Sequence, residues 1–129
     1  MNWGRWWSLG NRGERLAARF LRRNGHRVLF RSYRCPVGEV DLVTEHAGVL
    51  VFVEVKTRRS AEHGQPWEAV DRKKRGRITR VAAFFIKRYR ASDRLVRFDV
   101  VAITWPVGWF ARPTVEHFPD AFQAEGPWT

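Results

Sequence analysis

The sequence has few of the features that mark secreted or membrane proteins. Cys35 is the only cysteine, so no internal disulfide can form, which fits a reducing compartment. No uninterrupted apolar run approaches the ~18 residues that a membrane-spanning helix needs. The N-terminal stretch has no continuous apolar segment of the kind found in secretory signals. We therefore expect a cytoplasmic protein without a membrane span.

Motifs for zinc and for nucleotide binding are also missing. The four histidines are scattered along the chain, and one cysteine cannot complete a typical zinc site, so we do not expect a structural zinc. The sequence contains no glycine-rich loop of the kind that cradles phosphates in P-loop proteins.

Acidic residues are scarce beside basic ones. The chain of 129 residues has 24 Lys and Arg against 13 Asp and Glu, which gives a net charge of +11. This excess favours binding to polyanions, and nucleic acid is the leading interpretation. A basic protein that meets acidic membranes or protein partners is the alternative. The length fits one domain with one core.

Hydrophobic periodicity predicts an α/β domain. A first helix is predicted to begin at Asn11, as its cap, and to end near Gly25. Strands are predicted over 26–33, 39–44, 49–56, 96–104 and 114–118, with a second helix over 67–89. Helices packed on a mixed sheet are the simplest architecture for this order. We expect a domain over 10–118, with tails over 1–9 and 119–129.

Three polar residues stand out on the second and third predicted strands. Strand alternation places Glu54 and Lys56 on one face. If Asp41 pairs near Glu54 across the hairpin, two carboxylates meet beside an ammonium group. A hard dication such as Mg²⁺ resolves their repulsion because it prefers oxygen ligands. The backbone carbonyl of Val55 could add a further ligand, and a nearby lysine suits phosphodiester hydrolysis.

Simpler interpretations of these residues exist. Glu54 and Lys56 could form an ion pair at the solvated end of a strand, since Glu-x-Lys is a common pattern. Glu14 lies three residues after Asn11, which resembles a capping box, but a helix packed on the sheet could also bring it to the acidic pair.

Two segments closely resemble the YraN family, small bacterial proteins grouped with Holliday-junction-resolvase-like and restriction-endonuclease-like nucleases. The segments are GEVDLV at 38–43 and VFVEVKTR at 51–58, and GNRGE at 10–14, RFDV at 97–100 and HFPDAF at 117–122 agree with them. The resemblance implies a PD-(D/E)xK fold, with a mixed sheet of four to five strands flanked by helices. It implies that Asp41 and Glu54 bind one or two Mg²⁺ or Mn²⁺ ions, that Lys56 is catalytic and that Glu14 assists. Val40 stands where the superfamily motif has its proline.

Basic residues follow the acidic motif and crowd the second predicted helix. We expect five of them to contact nucleic acid, most plausibly DNA: Arg58, Arg59, Lys73, Lys74 and Arg77. A solvated helix face is the simpler interpretation. No residue predicts base-specific readout, so recognition of a branched or single-stranded shape is favoured.

The sequence thus predicts a metal-dependent endonuclease that acts on branched or otherwise structured DNA. The alternative is a non-catalytic nucleic-acid-binding accessory protein that retains the fold. A homodimer is a further hypothesis, because a four-way junction needs two symmetric cuts. The tryptophans at positions 3, 6 and 7 could stack on bases or cover a dimer surface.

Overall fold

The computed structural model describes residues 3–59, 70–106 and 112–126, and the side chains from Asn11 onward within those ranges. Within these ranges, two helices and five strands follow one another. They are α1 (Trp3–Arg23), β1 (Arg27–Cys35), β2 (Gly38–His46), β3 (Val49–Arg59), α2 (Arg72–Arg88), β4 (Leu95–Trp105) and β5 (Thr114–Phe122).

The strands form one five-stranded sheet in sequence order, β1-β2-β3-β4-β5. All neighbours are antiparallel except β3 and β4, which run parallel in unbroken register from Val49↔Leu95 to Arg59↔Trp105. The parallel pair lies in the middle of the sheet and is covered on both faces. That position explains the continuous apolar sequence at the start of β3, since the residues from Leu50 to Glu54 are buried on both faces. The expected mixed α/β sheet is confirmed.

Each face of the sheet has its own hydrophobic core. Phe52 and Leu50 of β3 pack on one face with Ile78, Val81 and Phe85 of α2. On the other face, residues of β3 and β4 pack against α1, and the cluster consists of Ala17, Ala18, Leu21, Leu42, Val51, Val53, Val101 and Ile103. The two helices therefore lie on opposite faces, as the alternation along β3 predicts.

Both helices begin elsewhere than the sequence suggests. α1 begins at Trp3, so Asn11 is not its cap and residues 3–9 belong to the helix rather than to a tail. α2 begins at Arg72, where the carboxylate of the cap residue Asp71 accepts a hydrogen bond from the Lys74 N–H at 2.9 Å. The predicted start of α2 at residue 67 lies outside the described residues.

The predicted C-terminal tail is also partly wrong. β5 continues to Phe122, whose ring stacks on Phe98 with centroids 5.1 Å apart. Phe122 is buried in the core on the α2 face. The strand absorbs an irregularity in its pairing between Phe98 and Val100, next to Pro119, which explains why a proline-containing segment still belongs to the sheet.

In the part of the chain that the structure describes, neither helix combines the length and the apolar character that crossing a membrane requires.

Candidate metal centre

Asp41 lies where the β2–β3 ladder ends. The paired residues run from His46↔Val49 to Leu42↔Val53, one position short of Asp41. Beyond that point the Val55 N–H donates to the Asp41 carboxylate at 2.7 Å, so a side chain takes over the role of a strand neighbour. Asp41 and Glu54 are thus held next to each other at the open end of the hairpin, as the sequence predicts.

The facing of β2 differs from the expected alternation. Val40 and Val43 both belong to the core on the α2 face, whereas Leu42 belongs to the core on the α1 face. Regular strand alternation would place Val40 and Leu42 on the same face, so β2 departs from it between these two residues. The shift coincides with Ser32 on β1, which has φ 50 and interrupts the pairing between Arg31↔Leu42 and Tyr33↔Val40. Strand irregularities of this kind re-aim side chains and are common beside functional sites.

Ser32 connects β1 to α1 at this irregularity. Its hydroxyl lies 2.8 and 3.0 Å from the two carboxylate oxygens of Glu14, to which it donates. Glu14 stands inside α1 rather than at its start, so the capping interpretation is wrong. The neighbouring Gly13 is buried, and a Cβ there would come within 2.5 Å of the Thr57 hydroxyl. The missing side chain lets α1 approach β3 closely and brings Glu14 to the sheet.

Glu54 faces the other helix. Only 10% of its side chain is exposed, and its carboxylate lies 2.7 Å from the Lys74 ammonium of α2. The cation beside Glu54 is therefore Lys74, not Lys56, and the intra-strand ion pair considered from the sequence is replaced by one between strand and helix. The sequence predicts that Lys74 contacts nucleic acid. In the structure its ammonium is instead paired with the Glu54 carboxylate.

The electrostatics of the cluster are dominated by like charge around Asp41. Burial, the charge of Glu54, the charge of Glu14 and a hydrogen bond with the Glu54 carboxyl raise the pKa of Asp41 well above its usual value, against the lowering effect of the Val55 N–H. Burial alone would lower the pKa of Lys74, but the carboxylates of Glu54 and Asp41 outweigh it, so the pKa is raised and the ammonium stays charged.

A cavity of about 230 Å³ opens beside these residues on the α1 side. Glu14, Asp41 and the backbone of Val55 are among the residues that line it, together with Asn11, Ser32, Arg34, Glu39, Val40 and Thr57. The carboxylates of Glu14 and Asp41 line the cavity, and Glu54, whose charge acts on Asp41, is paired with Lys74 on the α2 side. The three carboxylates outnumber this one ammonium, which leaves an excess of negative charge that a divalent cation would neutralise. The donors are carboxylate and carbonyl oxygens, the set that Mg²⁺ and Mn²⁺ prefer. The residues present therefore fit such an ion.

The remaining predicted site residues lie on β3 and α2, the two elements that contribute Glu54 and Lys74. Lys56 follows Glu54 on the same face of β3 and is half-buried. The Arg58 guanidinium donates to the Thr104 hydroxyl at 3.3 Å. Arg59, Lys73 and Arg77 are exposed. The aliphatic part of Arg77 packs over Gly38, because a Cβ at that glycine would meet it at 3.3 Å.

A second polar cluster was not predicted from the sequence. His26, Asp99 and His117 lie together on the α1 face, and the His46 ring stacks on His26 with centroids 4.3 Å apart. His26, His46 and His117 are thus scattered in sequence but close together in space. Burial and the neighbouring histidines lower the pKa of His26 to about 4, so the ring is neutral at pH 7. No local sequence motif indicates this cluster, because its residues come from four separate segments of the chain.

The central parallel pair, the helix on each face and the acidic residues at the open end of a hairpin define a restriction-endonuclease-like α/β protein. A comparison with known families agrees with the sequence motifs. The family described as Uncharacterised protein family UPF0102 matches residues 13–103, and the chain belongs to this family, the YraN family that the sequence resembles.

Relatives from several bacteria extend the similarity over nearly the whole chain. A UPF0102 protein of Syntrophotalea carbinolica is 45% identical over 119 residues, which cover 92% of this chain and 94% of the relative. One from Geobacter metallireducens is 40% identical over 116 residues, covering 90% and 93%. A longer one from Rhodopirellula baltica is 45% identical over 121 residues, covering 92% and 72%.

Proposed function

We propose that this protein is a metal-dependent endonuclease that hydrolyses phosphodiester bonds in branched or otherwise structured DNA. The observation that carries the proposal is the convergence of Glu54 and Glu14, from a strand and a helix, on the part-buried carboxyl group of Asp41. Such like-charge clustering is costly for a structural role alone and is a mark of functional sites.

Asp41, Glu54 and the Val55 carbonyl would hold one or two Mg²⁺ or Mn²⁺ ions, with Glu14 as a further oxygen donor. A bound ion would supply positive charge at the attacked phosphate and lower the pKa of a water molecule. The Ser32 hydroxyl and the Val55 N–H fix the carboxylates of Glu14 and Asp41 in advance, which limits the reorganisation that binding requires.

The two lysines have different parts in this proposal. Lys74 is held at Glu54 and offsets part of the negative charge, so that the cluster can stay folded and ionised. Lys56 stands on the same strand face as Glu54, where its ammonium can orient the attacking water and offset the charge that develops on the phosphate. Lys56 is therefore the catalytic lysine of the proposal, and Lys74 is a positioning residue.

The proposed substrate rests on the positive charge of the chain, and no residue of the sequence predicts base-specific readout. Exposed cations follow one another along α2, from Arg72 and Lys73 beside Lys74 to Arg77, Arg80 and Arg88 further along the helix. These cations, together with the net charge of +11 on the whole chain, favour binding to a polyphosphate backbone. Such contacts fix position without reading sequence. Branched DNA, a homodimer that makes paired cuts and a cytoplasmic location are what the family resemblance adds.

The test is cleavage of labelled DNA by the purified full chain. Four-way, flap and single-stranded substrates are incubated with Mn²⁺, with Mg²⁺ and with a chelator. We expect metal-dependent cleavage of a branched substrate, lost in Asp41→Asn and Lys56→Ala while DNA binding persists. Glu116→Gln is the matched control, because Glu116 is an exposed carboxylate on β5 and does not line the cavity. Absence of cleavage on every substrate, or cleavage that survives both site variants, would refute the proposal.

A non-catalytic nucleic-acid-binding protein is the second candidate. The Lys74–Glu54 ion pair favours it, since it partly neutralises the cluster without a metal. This candidate predicts DNA binding that falls steeply with salt and does not respond to Mn²⁺. Calorimetric Mn²⁺ binding that disappears in Glu54→Gln would count against it.

A further inference from the structure

The cluster of His26, Asp99 and His117 has the composition of a transition-metal site. His26 follows the end of α1, Asp99 lies on β4 and His117 lies on β5. One ligand atom from each of the three lies within 4.8 Å of the other two. His26 and Asp99 are 5% and 0% exposed, so the donors meet in a site largely closed to water.

Neighbouring groups hold each donor in place. The His26 Nδ1 lies 2.8 Å from the Thr44 hydroxyl, which leaves Nε2 for another partner. Arg97 donates to both oxygens of Asp99, at 2.8 and 2.9 Å, and the Asp120 N–H donates to Oδ1 at 2.9 Å. Metal-binding histidines and carboxylates are commonly oriented by hydrogen bonds of this kind.

The pairing of His117 with Asp99 marks the position for an ion. The His117 Nε2 lies 2.7 Å from the Asp99 Oδ2, and the His26 ring lies beside them with its centroid 5.6 Å from that of His117. Binding of a cation would break this hydrogen bond and release its proton, and the nitrogen and the oxygen would move apart to reach the ion. His46 stacks nearly parallel on His26 and covers its ring, an arrangement that does not direct both rings at one ion.

We propose that His26, Asp99 and His117 bind a transition metal of the Zn²⁺ class, separately from the Asp41 site. Two imidazoles and one carboxylate suit Zn²⁺, with one coordination position left for water. The same donor set does not suit Mg²⁺, which prefers oxygen ligands throughout. The positive charge of Arg97, which donates to Asp99, weakens the attraction of this site for any cation. The two imidazole nitrogens would therefore provide the preference for Zn²⁺ over Mg²⁺.

The two sites lie at different levels along α1, one beside its middle and the other beyond its C-terminal end. Glu14 belongs to the Asp41 site, and His26 follows the last turn of the helix, a separation of roughly 15 Å along its axis. An ion at the histidine cluster would join the C-terminal end of α1 to β4 and to the edge strand β5. We therefore assign it a structural role, which makes its loss distinguishable from failure of the proposed nuclease chemistry.

The test uses the full chain, stripped with a chelator and titrated with Zn²⁺ by calorimetry. We expect one equivalent to bind, with affinity reduced about tenfold or more in His117→Gln. His46→Phe is the matched control, because it keeps a ring stacked on His26 and removes nitrogens that we do not assign to the metal. Because Zn²⁺ also suits the oxygen donors at Asp41, the single equivalent is counted in an Asp41→Asn background, which should retain it.

A second measurement needs only the wild-type protein, in case His117→Gln does not fold. Co²⁺ should produce visible absorption typical of nitrogen and oxygen ligation in a low-coordinate site, and Zn²⁺ but not excess Mg²⁺ should remove it. No stoichiometric Zn²⁺ binding, or equal binding in wild type and a folded His117→Gln, would overturn the proposal. Loss of binding in His46→Phe alone would also overturn the assigned ligands.

Discussion

Replacing Lys74 with methionine tests the electrostatic account of the acidic cluster most directly. The substitution keeps most of the side-chain volume and removes the ammonium 2.7 Å from Glu54. Breaking a buried ion pair costs about 3–5 kcal/mol. The Lys74 side chain is 37% exposed, so water screens part of that loss. We therefore expect about 2 kcal/mol, or a fall in Tm of about 6–8 °C for a chain of this size.

The measurement is urea unfolding of metal-free protein, with Lys73→Met as the matched control. Lys73 is the preceding residue of the same helix but is exposed, so its replacement should change the free energy of unfolding by less than about 0.5 kcal/mol. A double-mutant cycle with Glu54→Gln should give a coupling of about 1 kcal/mol or more. Mn²⁺ should then raise the Tm of Lys74→Met more than that of wild type, because it replaces the lost charge.

Equal effects of the Lys74 and Lys73 substitutions would refute this reasoning, and so would a coupling near zero with Glu54→Gln. Either result would mean that solvent, rather than Lys74, balances the charge of Glu54. The cluster would then be far less strained by like charge than its burial indicates.

Two further predictions concern charge and pH. Asp41→Asn should raise the Tm of metal-free protein and abolish stabilisation by Mn²⁺ in a thermal melt, because it removes like-charge repulsion but keeps an acceptor for the Val55 N–H. The pKa of His26 is lowered from 6.5 to about 4 in the fold, so the unfolded chain binds the extra proton and stability falls as the pH drops through that window. Urea unfolding of metal-free protein should show a loss of about 2 kcal/mol between pH 7 and 4.5, and His26→Phe should flatten that slope.

The strands and their faces could be predicted where burial is simple. β3 is apolar on both sides, so its sequence indicates a central strand, and alternation correctly assigns Phe52 and Val53 to opposite cores. The start of α1 could not be found in this way. Asn11 and Gly13 look like the beginning of a helix, but both lie inside one, because helix propensity is a weak preference that packing overrides.

The candidate site was predictable as a pair of residues and less so as an arrangement. The hairpin spacing brings Asp41 towards Glu54, and the Val55 N–H donates to the Asp41 carboxylate. The irregularity at Ser32 has no hydrophobic signature, so the contact between Ser32 and Glu14 could not be expected. Lys74 resembles any other cation of its helix in sequence, and only the tertiary fold pairs it with Glu54.

The acidic cluster draws on helices from both faces of the sheet, and this has a consequence for folding. Glu14 arrives from α1, and Lys74 arrives from α2 on the other side. A partly folded chain with only one helix packed on the sheet would already contain the β2–β3 hairpin. Without α1 it would lack the Glu14 carboxylate, and without α2 it would lack the Lys74 ammonium that balances the charge of Glu54. If this site hydrolyses DNA as proposed, it is complete only after both helices have packed on the sheet. A partly folded chain bound to DNA would then leave the DNA uncut.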